Sequence, residues 1–360
     1  MPSSTEPRRY QLLDQALAHG LLPDPVLRAG SRWGTVARVR REARGGVEAQ
    51  EERMRALVER MSSGPIAEQV ESANDQHYEL PADFFGLVLG PRRKYSGCWW
   101  PEGVHDLAGA EEAMLRLSCE RAQIADGQTI LDLGCGWGSM SLWLAEHYPN
   151  ARIRGVSNSH GQREHIEAVA RERGFDNLTI TTADVNAFDP GERFDRVVSI
   201  EMFEHMRNWA ELLRRVSTWL EDDGKAFVHV FSQRRLPYRF EGTWASERFF
   251  TAGTMPSHDL LPRFQEDLLV ADRWAVNGTH YAKTLEAWLA RLDARADEAL
   301  AILSAARGPK EGRRLLATWR LFLLSTEEIW GWRSGDEWLV SHYLHEPRGG
   351  RGKKADVRSM

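Results

Sequence analysis

The chain has 360 residues, with 47 Lys and Arg against 52 Asp and Glu, a formal net charge of -5, 42% hydrophobic residues and three cysteines. That size and apolar content suit one large α/β domain with additions, or two modest domains, and exclude wholesale disorder. The mild acidity argues against a nucleic-acid partner, and an odd trio of cysteines without C-x-x-C argues against a disulfide frame or a zinc site.

No apolar run approaches the roughly 18 residues of an integral membrane segment. The opening MPSSTEPRRYQLL lacks the layout of a secretory leader, so a cytoplasmic location is expected. Residues 1–75 read as a helical extension, with LLPDPVLRAG as a Pro/Gly break and Met54, Leu57, Val58 and Met61 as the apolar stripe of one helix. A further helix is expected from about Ala108 to Ile124.

From Asp126, short β-rich runs alternate with helical ones: TILDLG, SMSLWLAEHY, RIRGVS, GQREHIEAVARERG, NLTITTAD, DRVVSI, AELLRRVSTWL and KAFVHVFS. That rhythm predicts a doubly wound, mostly parallel sheet of Rossmann-like type, with residues 76–232 as the cofactor-binding core. Residues 233–335 read as a substrate-covering insertion with helices, although DLLVADRWAV within them looks like a strand. Residues 336–346 read as a final antiparallel strand, and 347–360 as a disordered tail.

The first core strand runs into Asp132, Gly134, Gly136 and Gly138, in the pattern D-x-G-x-G-x-G. Such glycines let the backbone turn tightly and approach a ligand at a helix N-terminus. The spacing matches neither a phosphate-binding P-loop nor the dinucleotide fingerprint; it is the pattern of S-adenosylmethionine-dependent methyltransferases. The second strand ends in Ser157, Asn158, Ser159 and Gln162, placed for ribose hydroxyls, and the third in Asp184, Val185 and Asn186, placed for adenine.

The fourth strand ends in Glu201, Glu204 and His205. A helical turn starting there would put all three on one face, where carboxylates and an imidazole can take a proton and stabilise a cation. The bland alternative has Glu204 capping the turn and His205 in the core. His160, His165, His342 and His345 read as surface histidines; no metal is expected.

NDQHYELP, KYSGCWW, LDLGCGWGS, SNSHGQ, IEMFEHM, FFTAGTMPSHDLL and HYAKTLEAW together resemble the cyclopropane fatty acid synthase superfamily, over roughly residues 10–345. The likeness is greatest to its amine-methylating branch, the coclaurine and pavine N-methyltransferases. It implies a seven-stranded class I methyltransferase fold and S-adenosylmethionine contacts from Tyr78, Tyr95 and Ser96 in addition to the loops above. It also implies an acid/base set of Glu201, Glu204 and His205 with Glu79, and a pocket tyrosine at Tyr281. In the lipid branch the YSC cysteine helps hold a bicarbonate base; here that position is Gly97, and Glu201 stands where the lipid enzymes carry a small residue.

The resulting expectation is methyl transfer to a small-molecule amine, with His205, oriented by Glu204, taking the ammonium proton. Glu201 and Glu79 would attract the cation, and Trp99, Trp244, Phe249 and Phe250 would supply cation–π contacts. The alternative is methyl or methylene transfer to unsaturated phospholipid acyl chains, with transient lipid contact. A non-catalytic binding scaffold is the third reading, and self-association into a homodimer is left open.

Overall fold

The computed structural model describes residues 10–68, 80–249 and 253–349. Tyr78, Glu79, Phe250 and the expected tail beyond Gly349 lie outside the described residues. Three helices come first: α1 (Gln11–Ala18), α2 (Asp24–Glu42) and α3 (Gly46–Arg60). Pro25 sits in the first turn of α2, where its missing N–H costs nothing, so the second half of LLPDPVLRAG is helix rather than a break. On α3, Met54 and the capping Met61 pack into the cluster around Trp209, with Leu57 and Val58 at its margin.

After α4 (Ala82–Val88) and α5 (Leu107–Arg121), the α/β series runs β1 (Thr129–Leu133), α6 (Ser139–His147), β2 (Arg152–Ser157), α7 (His160–Arg173) and β3 (Leu178–Thr182). It continues through β4 (Phe194–Ile200), α8 (Trp209–Trp219) and β5 (Leu220–Gln233). The central strands β1, β4 and β5 bury consecutive residues without alternation, at 130–133, 197–199 and 226–233, because both faces of the sheet are covered there. Helix α8 shows the complementary pattern, burying Trp209, Leu212, Leu213, Val216 and Trp219 along one stripe.

Beyond β5 lie a small ribbon, β6 (Tyr238–Arg239) with β7 (Thr254–Met255), and the short helix α9 (Trp244–Arg248) between them. Strand β8 (Leu268–Asn277) then leads into α10 (Gly278–Ala294), α11 (Ala296–Arg307) and α12 (Pro309–Trp330), before β9 (Trp338–Pro347) closes the chain's described part. The sheet order is β3-β2-β1-β4-β5-β9-β8, with β9 antiparallel to both neighbours. The stretch 233–335 therefore also contributes a sheet strand, β8, besides its helices.

Because β9 lies between two strands, His342 and His345 are fully buried at 0% exposure, which corrects their reading as surface residues. His160 is exposed and His165 half-buried. All three cysteines are free and buried. Among the described residues no helix is long and apolar enough to cross a membrane, and no group of three His, Cys, Asp or Glu is arranged to hold a metal ion. The strand order reverses at β1, between β2 and β4, which opens a crevice at the carboxyl ends of these strands.

Candidate active site

Two cavities meet above that crevice. The first lies over the glycine loop and is lined by Asp132, Gly134, Gly136, Ser157, Asn158 and Gln162, with Tyr95, Ser96 and Val185 on its other walls. Asp132 is 1% exposed and accepts the Ser141 hydroxyl at 2.6 Å; burial raises its carboxyl pKa to about 6. Gln162 takes the Ser157 hydroxyl on Oε1 at 2.6 Å and leaves its buried Nε2 without a partner. Trp137 Nε1 and Ser139 Oγ, on residues of the same wall, are likewise buried without partners. A buried anion and orphaned donors beside a nucleoside-sized crevice fit the ammonium and ribose hydroxyls of S-adenosylmethionine.

Four of the expected cofactor residues stand off this wall. Gly138 caps α6 at φ +84°, and a Cβ there would lie 2.5 Å from Ile166, so the residue serves close helix packing. Ser159 caps α7 by accepting from Gln162 N. Asp184 accepts the Asn186 backbone N–H at 2.8 Å, and the Asn186 amide pins Ala67 through bonds of 3.0 and 3.1 Å. Asn186 thus ties the N-terminal extension to the core.

The second cavity, about 560 Å³, lies beneath α1, α2 and α12 and is walled by aromatics including Tyr238, Phe240, Trp288, Trp330 and Trp338. Of the aromatics expected in the pocket, Trp244 and Tyr281 line it. Trp99 is not on the wall, and Phe249 is stacked in the core on Phe322, ring centroids 4.1 Å apart. Trp244 is anchored from behind, its indole N–H donating to Asp14 on α1 at 2.8 Å. Arg28 on α2 reaches Glu327 and Glu328 of α12 at 2.9 and 2.8 Å, which holds the extension down over the cavity.

Tyr95, Glu201 and His205 line both cavities and so form the boundary between them. Glu201 has φ +48°, a left-handed conformation that a side chain with a Cβ rarely adopts and that concentrates at active sites. The kink breaks the helical turn expected from the sequence: a 3₁₀ turn begins only at Phe203. It aims the Glu201 carboxylate at Gly97 N (2.9 Å), at the Tyr281 hydroxyl (2.7 Å) and at His229 Nε2 (3.3 Å). Gly97 fits closely there: a Cβ would lie 3.0 Å from the Tyr281 ring, which would have to shift by a few tenths of an ångström.

Glu204 corrects the one-face expectation. It is 0% exposed and lines neither cavity; its Oε1 takes the Phe231 backbone N–H at 2.6 Å. Burial and the Glu201 charge push its pKa well above the ordinary carboxylate range, so it is held protonated. It is not the turn's cap either, since Phe231 lies in β5 and the turn has no side-chain cap. His205, by contrast, faces both cavities; burial lowers its pKa, with Glu201 opposing, which keeps the imidazole neutral and able to accept a proton.

Two further residues of the site, Lys94 within KYSGCWW and His229, have no role expected from the sequence. Lys94 is 1% exposed, lines the first cavity and donates to Gly97 O at 2.8 Å; burial lowers its pKa, and Glu201 is among the groups that oppose the shift. His229 lies inside β5, in an apolar run that reads only as strand. A polar residue amid KAFVHVFS was the one available hint.

The sequence profile of the mycolic acid cyclopropane synthetase family matches residues 67–331. The (S)-coclaurine N-methyltransferase of Thalictrum flavum subsp. glaucum is 36% identical over 337 residues, 91% of this chain and 93% of the relative. A cyclopropane-fatty-acyl-phospholipid synthase of Escherichia coli K12 is 30% identical over 218 residues, 60% of this chain and 55% of its own. Among solved structures, a coclaurine N-methyltransferase bound to N-methylheliamine and S-adenosylhomocysteine superposes with TM-score 0.90 at 36% identity, covering 93% of this chain and 99% of that one.

Proposed function

The chain belongs to the mycolic acid cyclopropane synthetase family, and from that premise we propose that it is an S-adenosylmethionine-dependent N-methyltransferase acting on a small, largely aromatic amine. One observation carries the choice of acceptor: a carboxylate and a neutral imidazole, Glu201 and His205, stand where the glycine-loop cavity opens into an aromatic one. A cationic amine suits that wall; an alkene offers neither group anything to bind.

S-adenosylmethionine, when bound over the glycine loop, supplies a methyl group activated by its sulfonium. Asp132 would hold the ammonium of its amino-acid end, Gln162 and Ser157 its ribose, and Val185 its base. The remaining chemistry belongs to the acceptor side. An amine enters as its ammonium form, which the Glu201 carboxylate attracts and the aromatic walls enclose. His205 takes the ammonium proton, exposing the nitrogen lone pair toward the first cavity. Much of the acceleration then comes from holding that nitrogen in line, which the rigid aromatic wall and the α2–α12 clamp provide.

Labelled methyl from S-adenosylmethionine should be offered in parallel to secondary and tertiary amines, tetrahydroisoquinolines among them, and to vesicles of unsaturated phospholipid. Label on amine nitrogen is expected. Label in the acyl chains alone would make the protein a lipid-modifying enzyme, and tight cofactor binding with no labelled product would make it a scaffold.

A further inference from the structure

The Glu201 carboxylate is the inner end of a hydrogen-bonded chain that crosses the sheet. His229 Nε2 lies 3.3 Å from Glu201 Oε1, and His229 Nδ1 lies 3.0 Å from His342 Nε2. His342 Nδ1 lies 2.7 Å from Arg121 Nη1, at the last turn of α5. Both imidazoles are 0% exposed, on the adjacent strands β5 and β9, where they pair directly. Arg121 is half-buried, with its guanidinium 5.0 Å above the Trp274 ring.

We propose that Arg121, His342 and His229 are positioning residues that form a one-way donor chain fixing the orientation and negative charge of Glu201; this rests on Glu201 being the acceptor-facing carboxylate. A guanidinium can only donate, so His342 Nδ1 must accept and its proton must sit on Nε2. That N–H points at His229 Nδ1, which must also accept, so the second proton sits on His229 Nε2 and points at Glu201. The polarity of the whole chain is set from the Arg121 end. Burial, with Lys94 and Arg121, disfavours a second proton on either ring; at the other end burial raises the Glu201 carboxyl pKa, and Lys94, the Gly97 N–H, the Tyr281 hydroxyl and His205 oppose that rise. Glu120 and Asp272 lie near Arg121, and Glu204 and His205 near Glu201.

The same polarity stops the chain from draining protons. His229 Nε2 already carries hydrogen on the side facing Glu201, so a proton released by the acceptor cannot enter there and is left to His205.

The test uses full-length protein with histidine labelled at both ring nitrogens, without an acceptor, assigned with His229→Gln and His342→Gln. Both rings should be neutral and protonated on Nε2 throughout pH 6–8. Protonation of either ring on Nδ1, or titration of either within that range, would overturn the proposal. In Arg121→Met, kcat/KM for an amine should fall roughly tenfold and its acid limb should move up by roughly one pH unit, with cofactor affinity unchanged. Arg121→Lys, which keeps a permanent donor, should recover most of that loss. A wild-type acid limb in Arg121→Met would sink the idea. Should that variant fail to fold, the wild-type spectrum still decides. Because the spectrum needs no acceptor, a wrong chain and a wrong acceptor class give separate failures.

Discussion

The Tyr281 hydroxyl donates to Glu201 Oε2 at 2.7 Å, across 80 residues of sequence, and this bond joins the helical cover to the catalytic edge of the sheet. Tyr281 stacks on Trp330, ring centroids 4.5 Å apart, so the aromatic wall of the acceptor cavity and the orientation of its carboxylate are set by one side chain. Removing the hydroxyl leaves the stack. Tyr281→Phe should therefore bind S-adenosylmethionine normally and fold normally while kcat/KM for the amine drops about tenfold. An unchanged kcat/KM would show that the bond does not orient Glu201 in the working enzyme.

Gly97 gives a steric version of the same test. A Cβ at this position would stand 3.0 Å from the Tyr281 ring and 3.3 Å from Val340. Gly97→Ala should displace Tyr281 and lower activity by several-fold to tenfold, with a loss of about 1–3 kcal/mol in stability from overpacking. Denaturant midpoints and amine kinetics measured together check both halves. A fully active Gly97→Ala would mean that the site has slack the structure does not show.

The two carboxylates of IEMFEHM should part company on amidation. Glu201 faces both cavities and is needed as an anion, so Glu201→Gln should raise KM for the amine and cut kcat/KM by at least about tenfold. Glu204 is buried, protonated and engaged with Phe231 N, which a glutamine oxygen can accept equally well. Glu204→Gln should lose much less. Equal losses would restore Glu204 to the acid/base set.

The acid side of the reaction is set by Glu201, which must be ionised, and by His205, which must be neutral. The His205 pKa lies below the usual histidine value because burial disfavours the imidazolium. The base is free at neutral pH and is blocked as pH falls through that lowered pKa, so activity should rise with pH across the acid limb. His205→Ala should remove about 10²-fold of turnover with cofactor binding nearly intact. Retained turnover would exclude His205 as the base.

Acid stability follows from the buried imidazoles of β9. Burial lowers the His345 pKa to about 4, from an ordinary value of about 6.5. Between those values the unfolded chain binds a proton that the folded chain refuses, so the folded state loses stability as pH falls through that window. The full effect for one such residue is about 3 kcal/mol. Asp132, raised to about 6, works in the opposite sense, so the difference between wild type and His345→Gln isolates the histidine. Urea midpoints at pH 7.5 and pH 5 should diverge in wild type more than in His345→Gln; an equal pH dependence would contradict this.

Much of the architecture was legible because its signals are local. Alternating strand and helix patterns, the D-x-G-x-G-x-G turn and the antiparallel GDEWLVSHYL strand each follow from residues close in sequence, and each is present in the fold. The site was legible where strand ends carry it, at Asp132, Ser157, Gln162, Glu201 and His205. What could not be read depends on contacts between distant segments. The positive φ of Glu201 overrides the helical spacing that grouped it with Glu204. His342 and His345 looked like surface residues because nothing in HYLHE reveals that β9 is flanked on both sides. Trp244 reaches the pocket and Phe249 does not, a choice made by packing on α12 and not by composition.

Amine methylation that depends on the Glu201 carboxylate is tested by comparing wild type with Glu201→Gln in transfer of labelled methyl from S-adenosylmethionine to a tetrahydroisoquinoline, with cofactor binding measured alongside. Label on nitrogen is expected in wild type, and in Glu201→Gln a loss of at least about tenfold at unchanged cofactor affinity. Equal labelling by the two proteins, or label found only in phospholipid acyl chains, would contradict that expectation.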